Sequence, residues 1–496
     1  MIMKQRLKAS MLVAFSGITS LGLVPFANAK DSVKQKNNKK PNIVFFLVDD
    51  FGYSGLSKTG SDFHETPNID ALFESGVYFN NGYSACTVCS PSRAAILTGR
   101  YPARLHLTDW IAGKQMPYAK LAVPDWNMKI EHERKVLPET LKENGYSTAF
   151  IGKWHLMPIK DSDELMNQHF PTSHGFDINI GGREWGQPKG RGQYFYPWDM
   201  PNVKGGKKGD YLTDRLTDYA VDYIEDHKND KNPFMLYFSY YTVHTPIQAK
   251  AEYIKKYQDK LKANPKKYKH KRPKYAAMIQ SLDDSVGRVI AELKKAGVYD
   301  NTIIVFTADN GPFWHEYAGG LRGRKGLSFD GGTREPFVIA GPGIKKGVVE
   351  STPAIGMDFY PTLLELVNIP QKPQEHKDGV SLVPLLKENS QASSKKIKER
   401  SLFWHYPHYH RTKPYGAVRN GDWKLIEFFE DGKLMLFNLK EDPYEKNDLA
   451  EKNPEKAAEL LKELKAWRKD VNAQMNYQNP KYDKKRANKQ TYFRRK

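Results

Sequence analysis

The chain alternates between short, fully apolar runs and longer amphipathic segments over most of its length. The first run, Asn42-Ile43-Val44-Phe45-Phe46-Leu47-Val48, is typical of a strand buried on both faces. Similar runs predict further parallel strands over residues 148–151, 234–239, 302–307 and 337–340. Amphipathic patterns predict helices over residues 69–75, 137–143, 211–227, 275–296 and 358–367. This alternation predicts an α/β fold in which helices sandwich a large, mostly parallel sheet.

The pattern changes near residue 400. Short extended pieces over 401–406, 416–419, 423–428 and 435–438 are separated by turn signals such as Asn420-Gly421-Asp422. Residues 455–471 then show an apolar helical face, made by Leu460, Leu461, Leu464 and Trp467. We predict a small antiparallel sheet with one covering helix, and a basic tail from about residue 477 that wraps the surface or is poorly ordered. The chain thus divides into an α/β domain (41–395) and a C-terminal α+β subdomain with its tail (396–496).

The first residues have the pattern of an export signal. Lys4, Arg6 and Lys8 precede an apolar run over 11–26, which ends in Ala27-Asn28-Ala29. We predict a signal peptide (1–29), a linker (30–40) and a secreted or periplasmic protein with no stable membrane insertion. A retained membrane anchor is the alternative, but the run is short and is interrupted by polar residues, glycines and a proline.

The net charge and the cysteine content indicate which kinds of partner and which stabilising bonds to expect. The chain has 77 Lys and Arg against 57 Asp and Glu, a net charge of +20, which favours an anionic partner such as a sulfated glycan, nucleic acid or a lipid surface. A solvated lysine-rich surface is an equal alternative, because much of the excess lies in 255–274 and 481–496. Only two cysteines are present, so no disulfide framework holds the fold.

Polar clusters follow four of the predicted strands, where parallel sheets bind ligands. They are Asp49-Asp50, Lys153-Trp154-His155, His244-Thr245-Pro246 and Asp309-Asn310-Gly311. The side chains of Asp49, Asp50, Asp309 and Asn310 offer only hard oxygen ligands, which suit Ca²⁺ or Mg²⁺. A turn or a helix cap is the alternative for an Asp-Asp pair alone. We expect the four clusters to meet at one edge of the sheet.

A second motif is Cys89-Ser90-Pro91-Ser92-Arg93, followed by Leu97-Thr98-Gly99-Arg100. Pro91 suits the first turn of a helix and Gly99 can end it. Cys89 would then lie at the helix entrance, with Arg93 one turn further on, so that both face a small anion site. A redox pair of Cys86 and Cys89 is the alternative, but it gives Pro91 and Arg93 no role.

This motif resembles the signature of the formylglycine-dependent sulfatases of the alkaline phosphatase superfamily, and the resemblance extends by motif from about residue 41 to 450. It implies that Cys89 is oxidised to Cα-formylglycine by a formylglycine-generating or anaerobic sulfatase-maturating enzyme. It also implies a metal site, usually for Ca²⁺ with Mg²⁺ as the alternative, made by Asp49, Asp50, Asp309, Asn310 and residue 89. The hydrated aldehyde would attack sulfur, and its second hydroxyl would then expel sulfate.

The resemblance also implies catalytic roles. Arg93 and Lys153 would hold the hydrated aldehyde, and His155 would take the proton of its remaining hydroxyl. His244 and Lys325 would bind sulfate oxygens and support the leaving alkoxide. Lys325 lies in a segment, 321–336, that resembles two family segments but has Asp330 where glutamate is commoner and Arg324 where a small residue is commoner.

Aromatic and polar residues outside these motifs suggest a sugar-binding rim. The candidate substrate-binding residues are Asp109, Trp110, Trp185, Arg324, His408 and His410. For the cluster over 404–410, an edge strand with ordinary polar side chains is the alternative. The resemblance to bacterial polysaccharide sulfatases favours galactose or N-acetylgalactosamine 4-sulfate in carrageenan-like material. One alternative function is a phosphodiesterase or phosphonate monoester hydrolase of the same superfamily. Another alternative is a non-catalytic protein that binds anionic glycans. We expect no nucleic-acid partner.

Overall fold

Strand β1 (Asn42–Val48) is the centre of the fold, and every one of its side chains is buried. The computed structural model describes residues 39–159, 163–388 and 393–492. Val44, Phe46 and Val48 belong to one hydrophobic core, whereas Ile43, Phe45 and Leu47 belong to a second core. Because successive side chains of a strand point to opposite faces, one core lies on each face of the sheet. The predicted signal peptide (1–29) and most of the linker (30–40) lie outside the described residues.

Seventeen further strands follow β1 in the part of the chain that the structure describes. They are β2 (Gly76–Phe79), β3 (Gly82–Tyr83), β4 (Lys114–Gln115), β5 (Leu121–Ala122), β6 (Ser147–Gly152), β7 (Ile178–Ile180), β8 (Phe234–Ser239), β9 (Thr302–Ala308), β10 (Val338–Ala340), β11 (Val348–Glu350), β12 (Ala354–Ile355), β13 (Leu402–Tyr406), β14 (Tyr415–Asn420), β15 (Trp423–Phe428), β16 (Leu434–Asn438), β17 (Tyr477–Gln478) and β18 (Thr491–Tyr492).

The main sheet has eight strands in the order β11-β2-β10-β9-β1-β8-β6-β7. Strands β1, β6, β8 and β9 pair in parallel, as predicted, and β7, which was not predicted, is parallel to β6. The prediction of a parallel strand over 337–340 was wrong, since β10 is antiparallel to both β9 and β2. The reason is the connection from β9, which contains only short 3₁₀ turns and no crossover helix, so β10 starts from the edge where β9 ends.

Helices cover both faces of this sheet. The described helices are α1 (Pro67–Glu74), α2 (Cys89–Thr98), α3 (Pro102–Leu105), α4 (Leu137–Glu143), α5 (Asp163–Asn167), α6 (Leu212–His227), α7 (Ala251–Ala263), α8 (Pro273–Lys295), α9 (Phe359–Leu366), α10 (Val383–Leu386), α11 (Lys395–Glu399) and α12 (Pro454–Asp470). Side chains of α1, α6 and α8 enter the first core, and those of α2, α4 and α9 enter the second. The predicted α/β sandwich is confirmed.

The C-terminal region contains the predicted small antiparallel sheet, in the order β13-β14-β15-β16. Leu460, Leu464 and Trp467 of α12 pack in the same hydrophobic cluster as this sheet. Residues Lys40–Lys496 form one compact unit, and the predicted boundary between residues 395 and 396 stays a prediction.

The tail pairs with a distant part of the chain. Strand β17 is antiparallel to β5, and β18 is antiparallel to β4. Residues 477–492 therefore wrap the surface formed by residues 114–122, while residues 493–496 lie outside the described part. No helix among the described residues is both long and apolar enough to cross a bilayer.

Candidate active site

The four predicted polar clusters meet at the carboxyl edge of the main sheet. Asp49 and Asp50 follow β1, and Asp50 has a φ of 56°, a left-handed conformation that turns the chain sharply after the strand. The backbone N–H of Asp50 donates to Oδ1 of Asp309 at 3.1 Å, and Nδ2 of Asn310 donates to Oδ1 of Asp50 at 2.8 Å. All four side chains are fully buried. The predicted acidic set is thus assembled in one place.

Two buried lysines face these carboxylates. Nζ of Lys153 lies 2.6 Å from Oδ2 of Asp49, and Nζ of Lys325 lies 2.6 Å from Oδ1 of Asp50. Burial raises the pKa of Asp49 to about 8 against the attraction of Lys153, with Asp309 and Asp50 raising it further. Burial also acts to raise the pKa of Asp50, but Lys325 and His244 outweigh it and hold the pKa below its ordinary value.

The donor set fits a hard divalent cation. Among the described residues, Oδ1 of Asp49, Oδ2 of Asp50 and Oδ1 of Asn310 are buried and have no hydrogen-bond partner. Buried oxygens without a donor are costly unless an ion occupies the space between them. Oxygen atoms from carboxylate and amide groups are the ligands that Ca²⁺ and Mg²⁺ prefer. The orphaned oxygens and the raised pKa of Asp49 both favour a cation at this position.

Helix α2 begins at Cys89 and ends at Gly99, whose φ of 61° is the left-handed cap expected there. All ten helical residues are buried, including Arg93. Nε of Arg93 donates to Oδ2 of Asp309 at 2.8 Å, and its Nη1 donates to the carbonyl of Lys153 at 2.8 Å. Arg93 therefore links the helix that carries Cys89 to two of the strand ends.

His155 faces Cys89. Its Nδ1 lies 3.3 Å from Sγ of Cys89, and its Nε2 forms a hydrogen bond with the carbonyl oxygen of Ile111. Because that carbonyl can only accept, Nε2 carries the proton and Nδ1 presents its lone pair to position 89. Burial and the charge of Lys153 hold the pKa of His155 well below its ordinary value, so the ring is neutral. A neutral imidazole in this tautomer can accept a proton from residue 89.

His244 completes the group on the side of Asp50. Its Nε2 lies 3.7 Å from Oδ2 of Asp50, and its Nδ1 donates to the carbonyl of Thr245 at 2.8 Å. Burial lowers the pKa of His244 to about 3. The structure therefore brings Cys89, Arg93, Lys153, His155, His244 and Lys325 together around the oxygen ligands.

Two arginines lie next to Lys325, one of which the sequence did not indicate. Nη1 of Arg324 and Nη1 of Arg411 both donate to the carbonyl oxygen of Phe313, at 3.1 and 3.5 Å. Arg411 also donates to the carbonyl of Lys325 at 3.1 Å. Within the described parts of the chain, neither guanidinium has a carboxylate within 4.0 Å. Burial and the neighbouring charge of Arg324 lower the pKa of Arg411.

The predicted sugar-binding residues differ in their exposure. Asp109 and His408 are 1% and 2% exposed, and they face buried partners rather than an open rim: Asp109 accepts from the hydroxyl of Tyr406 at 2.6 Å, and Nε2 of His408 lies 2.8 Å from Oγ1 of Thr108. The whole segment Leu402–Tyr406 is a buried strand, because its aromatic side chains pack in the C-terminal hydrophobic cluster.

Other candidate residues remain accessible. Trp110 and Trp185 are half-buried, and Trp185 precedes Gly186, where an added Cβ would lie 2.8 Å from the ring of His155. His410 is also half-buried and packs on Gly326, where a Cβ would lie 2.1 Å from its Nδ1. Trp185 and His410 are thus close to catalytic candidates. Asp109 is enclosed, and His408, although nearly buried, contributes to the wall of a cleft.

A cleft of about 680 Å³ is lined in part by Ala112, which follows Ile111 in the chain, and the carbonyl of Ile111 binds His155. Trp126 and His408 line it together with the tail residues Tyr477 and Lys481. The amino-acid pattern does not indicate this cleft, because its walls come from segments far apart in the chain. The cleft thus includes a neighbour, in the chain, of the residue whose carbonyl holds the ring of His155.

Comparison with known proteins decides the family. A family model described as "Sulfatase" matches residues 41–369, and one described as "N-sulphoglucosamine sulphohydrolase, C-terminal" matches residues 324–474. The chain belongs to the sulfatase family. The predicted family, its α/β fold and its enzyme class are therefore confirmed, within the alkaline phosphatase superfamily.

Three relatives of this sulfatase illustrate the similarity. A "Sulfatase" of Formosa agariphila is 30% identical, with 91% of this chain and 93% of that protein covered. The "N-acetylgalactosamine-6-sulfatase" of Rattus norvegicus is 30% identical, with 81% and 74% covered. The solved structure of "Ps i-CgsB in complex with k-i-k-neocarrahexaose" has a TM-score of 0.69 and 28% identity, with 90% and 95% covered.

Proposed function

We propose that this sulfatase removes sulfate from a sulfated polysaccharide or its oligosaccharides, with Cα-formylglycine derived from Cys89 as nucleophile and Ca²⁺ as cofactor. The observation that carries the proposal is the position of Cys89, whose Sγ lies 3.3 Å from Nδ1 of His155, next to the buried oxygens of Asp49, Asp50, Asp309 and Asn310. Mg²⁺ suits the same ligands.

The bound cation would withdraw charge from the sulfate oxygens. Residue 89, as the hydrated aldehyde, would supply one hydroxyl for attack on sulfur and a second for release of sulfate. His155 accepts the proton of that second hydroxyl at its free Nδ1. Arg93 and Lys153 hold the position of the nucleophile, since both are buried and paired with metal-binding carboxylates.

His244 and Lys325 act on the other side of residue 89. Lys325 is 7% exposed and carries a charge held by Asp50, so it can bind a sulfate oxygen without moving far. His244 has its Nε2 directed towards Asp50 and is more exposed, so it is placed to support the oxygen of the leaving alcohol.

The arginine pair supports a substrate with more than one anionic group. Two half-buried guanidiniums beside Lys325, without a nearby carboxylate, repel each other until an anion lies between them. A polysulfated chain supplies such an anion on the sugar next to the scissile ester. The cleft lined by Ala112, Trp126 and Tyr477 offers room for further sugars, with the two aromatic rings as stacking surfaces.

We propose galactose or N-acetylgalactosamine 4-sulfate in carrageenan-like material as the substrate. The similarity to Ps i-CgsB, which was solved with a neocarrahexaose, and to an N-acetylgalactosamine-6-sulfatase supports a sugar sulfate of this class. The enzyme would act outside the cytoplasm, after removal of residues 1–29 and conversion of Cys89 by a maturation enzyme.

The deciding experiment compares substrates with protein expressed alongside a maturation enzyme. Aryl sulfate, an aryl phosphate diester, and sulfated galactan oligosaccharides with 4- or 6-sulfate are assayed under metal saturation, and mass spectrometry confirms the aldehyde at position 89. We expect sulfate release from the oligosaccharides with the highest kcat/KM. Faster turnover of the phosphate diester, or binding of the glycan without turnover by aldehyde-containing protein, would overturn the proposal.

A further inference from the structure

Three histidines from two separate segments meet beside Trp154. His132 precedes α4. His169 lies two residues before the 3₁₀ turn Pro171–His174, and His174 is the last residue of that turn. One ring nitrogen of each histidine lies within 4.8 Å of a ring nitrogen of both others. His169 and His174 are buried, and His132 is exposed. This His cluster (His132, His169, His174) takes no part in the site described above.

The centroids of the three rings form a compact triangle, and the ring planes lie 10–22° from parallel. Their centroids are 5.1 Å apart for His132 and His169, 4.8 Å for His132 and His174, and 6.0 Å for His169 and His174. A column of three stacked rings would place the outer two about twice as far apart as neighbours, whereas these centroids form a nearly equilateral triangle.

The distance from the centre of this triangle to each ring matches the distance between a bound zinc ion and the centre of a histidine ring. The circle through the three centroids has a radius of about 3.1 Å. A zinc ion bound to a ring nitrogen at 2.0–2.1 Å lies about 3.2 Å from the centre of that ring. An ion at that centre has the correct distance from all three rings, but each ring must also point a nitrogen lone pair at it. The ring planes lie 10–22° from parallel, so His132, which is exposed, would turn its ring to face the ion.

The ring of His174 is also in the protonation state that a metal needs. Burial, together with the neighbouring His132 and His169, lowers the pKa of His174 to about 3, so its ring is neutral. Within the described residues, Nε2 of His174 is buried and has no hydrogen-bond partner. Nitrogen ligands without a carboxylate favour Zn²⁺ over Ca²⁺, in contrast to the all-oxygen set around Asp49.

We propose that the His cluster is a second metal site, which binds Zn²⁺ or a similar transition-metal ion and leaves a fourth position to water. The carbonyl oxygen of His169 accepts a hydrogen bond from Nε1 of Trp154 at 2.9 Å. Trp154 lies between Lys153 and His155 in the chain. A bound ion would therefore stabilise the segment that carries these two catalytic side chains. Its role would be to position this segment, because the histidines do not touch the reacting group.

Zinc titration of the full-length, tag-free protein tests the proposal. The protein is stripped of metal, reloaded with Ca²⁺, and titrated with Zn²⁺ by calorimetry and with Co²⁺ by visible absorption. We expect one tight Zn²⁺ site per chain, a tetrahedral Co²⁺ spectrum, and a Tm that rises with Zn²⁺. In His132→Ala, which changes an exposed residue, Zn²⁺ binding should weaken by at least about 100-fold.

Two matched variants make the result specific. His315→Ala removes an exposed histidine outside the cluster and should leave Zn²⁺ binding unchanged. Asp309→Asn removes an active-site oxygen ligand and should keep Zn²⁺ binding while it loses sulfatase activity, which separates this proposal from the proposed function. A failure to bind Zn²⁺ tighter than about 10 µM, or equal binding by His132→Ala, would overturn the second site.

Discussion

Nδ1 of His155 lies 3.3 Å from Sγ of Cys89, and the opposite nitrogen of the ring is held by the Ile111 carbonyl. The ring is therefore fixed as an acceptor towards residue 89. We predict that His155→Ala lowers kcat by about 100- to 10,000-fold with little change in KM, because it removes a proton acceptor and leaves substrate contacts in place. Steady-state kinetics on aldehyde-containing protein measure this split; a variant that changes mainly KM would contradict the role.

Cys89 itself should be indispensable. We predict that Cys89→Ala, matched by Cys86→Ala as the control for a second buried cysteine, loses at least about 1,000-fold in kcat/KM. Cys86→Ala should keep most of the activity, since the thiol of Cys86 has no proposed chemical step. Both variants are assayed for sulfate release after their folding has been checked by circular dichroism. Equal losses would point to packing rather than chemistry.

Removal of the active-site metal should abolish activity and lower stability. Without an ion, three buried oxygens of Asp49, Asp50 and Asn310 have no hydrogen-bond partner among the described residues. We predict that chelation stops turnover, that Ca²⁺ restores it, and that Ca²⁺ at 100 times its Kd raises the free energy of unfolding by about 2.7 kcal/mol. Thermal melts with and without Ca²⁺ measure the shift. An Asp309→Asn protein that still shows the full shift would exclude this ligand set.

Arg411 should contribute to substrates with several sulfates and not to small ones. We predict that Arg411→Ala lowers kcat/KM on a polysulfated oligosaccharide by about 10-fold or more and changes turnover of an aryl sulfate less than about twofold. Salt should weaken the wild-type preference, because an accessible ion pair is screened. Arg288→Ala, on α8 and paired with Asp218, is the control and should affect neither substrate. A loss of equal size on both substrates would indicate a structural role for Arg411.

A buried ion network joins the C-terminal sheet to the segment that carries Lys325. Nζ of Lys424 lies 2.7 Å from Oδ1 of Asp330 and 2.8 Å from Oε1 of Glu445. We predict that Lys424→Met lowers the free energy of unfolding by about 3–5 kcal/mol, because two buried carboxylates lose their cation. Urea denaturation measures this change, and Lys456→Met on the exposed face of α12 is the control. A change below 1 kcal/mol, by urea denaturation, would show that the network is not needed.

We predict that the free energy of unfolding falls as the pH rises, because Asp109 is buried. Burial raises the pKa of Asp109 to about 7, from 3.8 for an ordinary Asp, despite the hydrogen bond from Tyr406. Between pH 4 and 7 the unfolded chain has lost this proton and the folded chain keeps it, so stability decreases over this range by an amount on the order of 3 kcal/mol. Asp109→Asn should remove that part of the slope, which urea denaturation at pH 4 and pH 7 measures. An unchanged slope would contradict the raised pKa.

The sequence correctly predicted those strands and site residues whose local hydrophobic pattern matches their burial in the structure. The fully apolar runs around Phe45 and Leu236 became central strands, because only a strand covered on both faces can bury every side chain. Asp49, Asp309 and Lys153 were found because they directly follow such strands, where parallel geometry brings chain segments to one edge.

What the sequence did not reveal depends on contacts between distant segments. The direction of β10 follows from its connection and not from its apolar side chains. A run of aromatic and histidine residues has the same sequence pattern in an exposed sugar-binding site as in a hydrophobic core. Asp109 and His408 were therefore predicted to bind sugar, although both side chains are almost fully buried. Arg411 and the His cluster became visible only when the loops that carry them had been placed side by side.

The pairing of β17 and β18 with β5 and β4 has a consequence for how the protein is made. A ribosome delivers residues 114–122 long before their strand partners, so the cleft lacks a wall until residues 477–492 have been made. A chain that is cut or stalled before residue 477 would contain every proposed catalytic residue and still lack part of the surface on which a polymer is held.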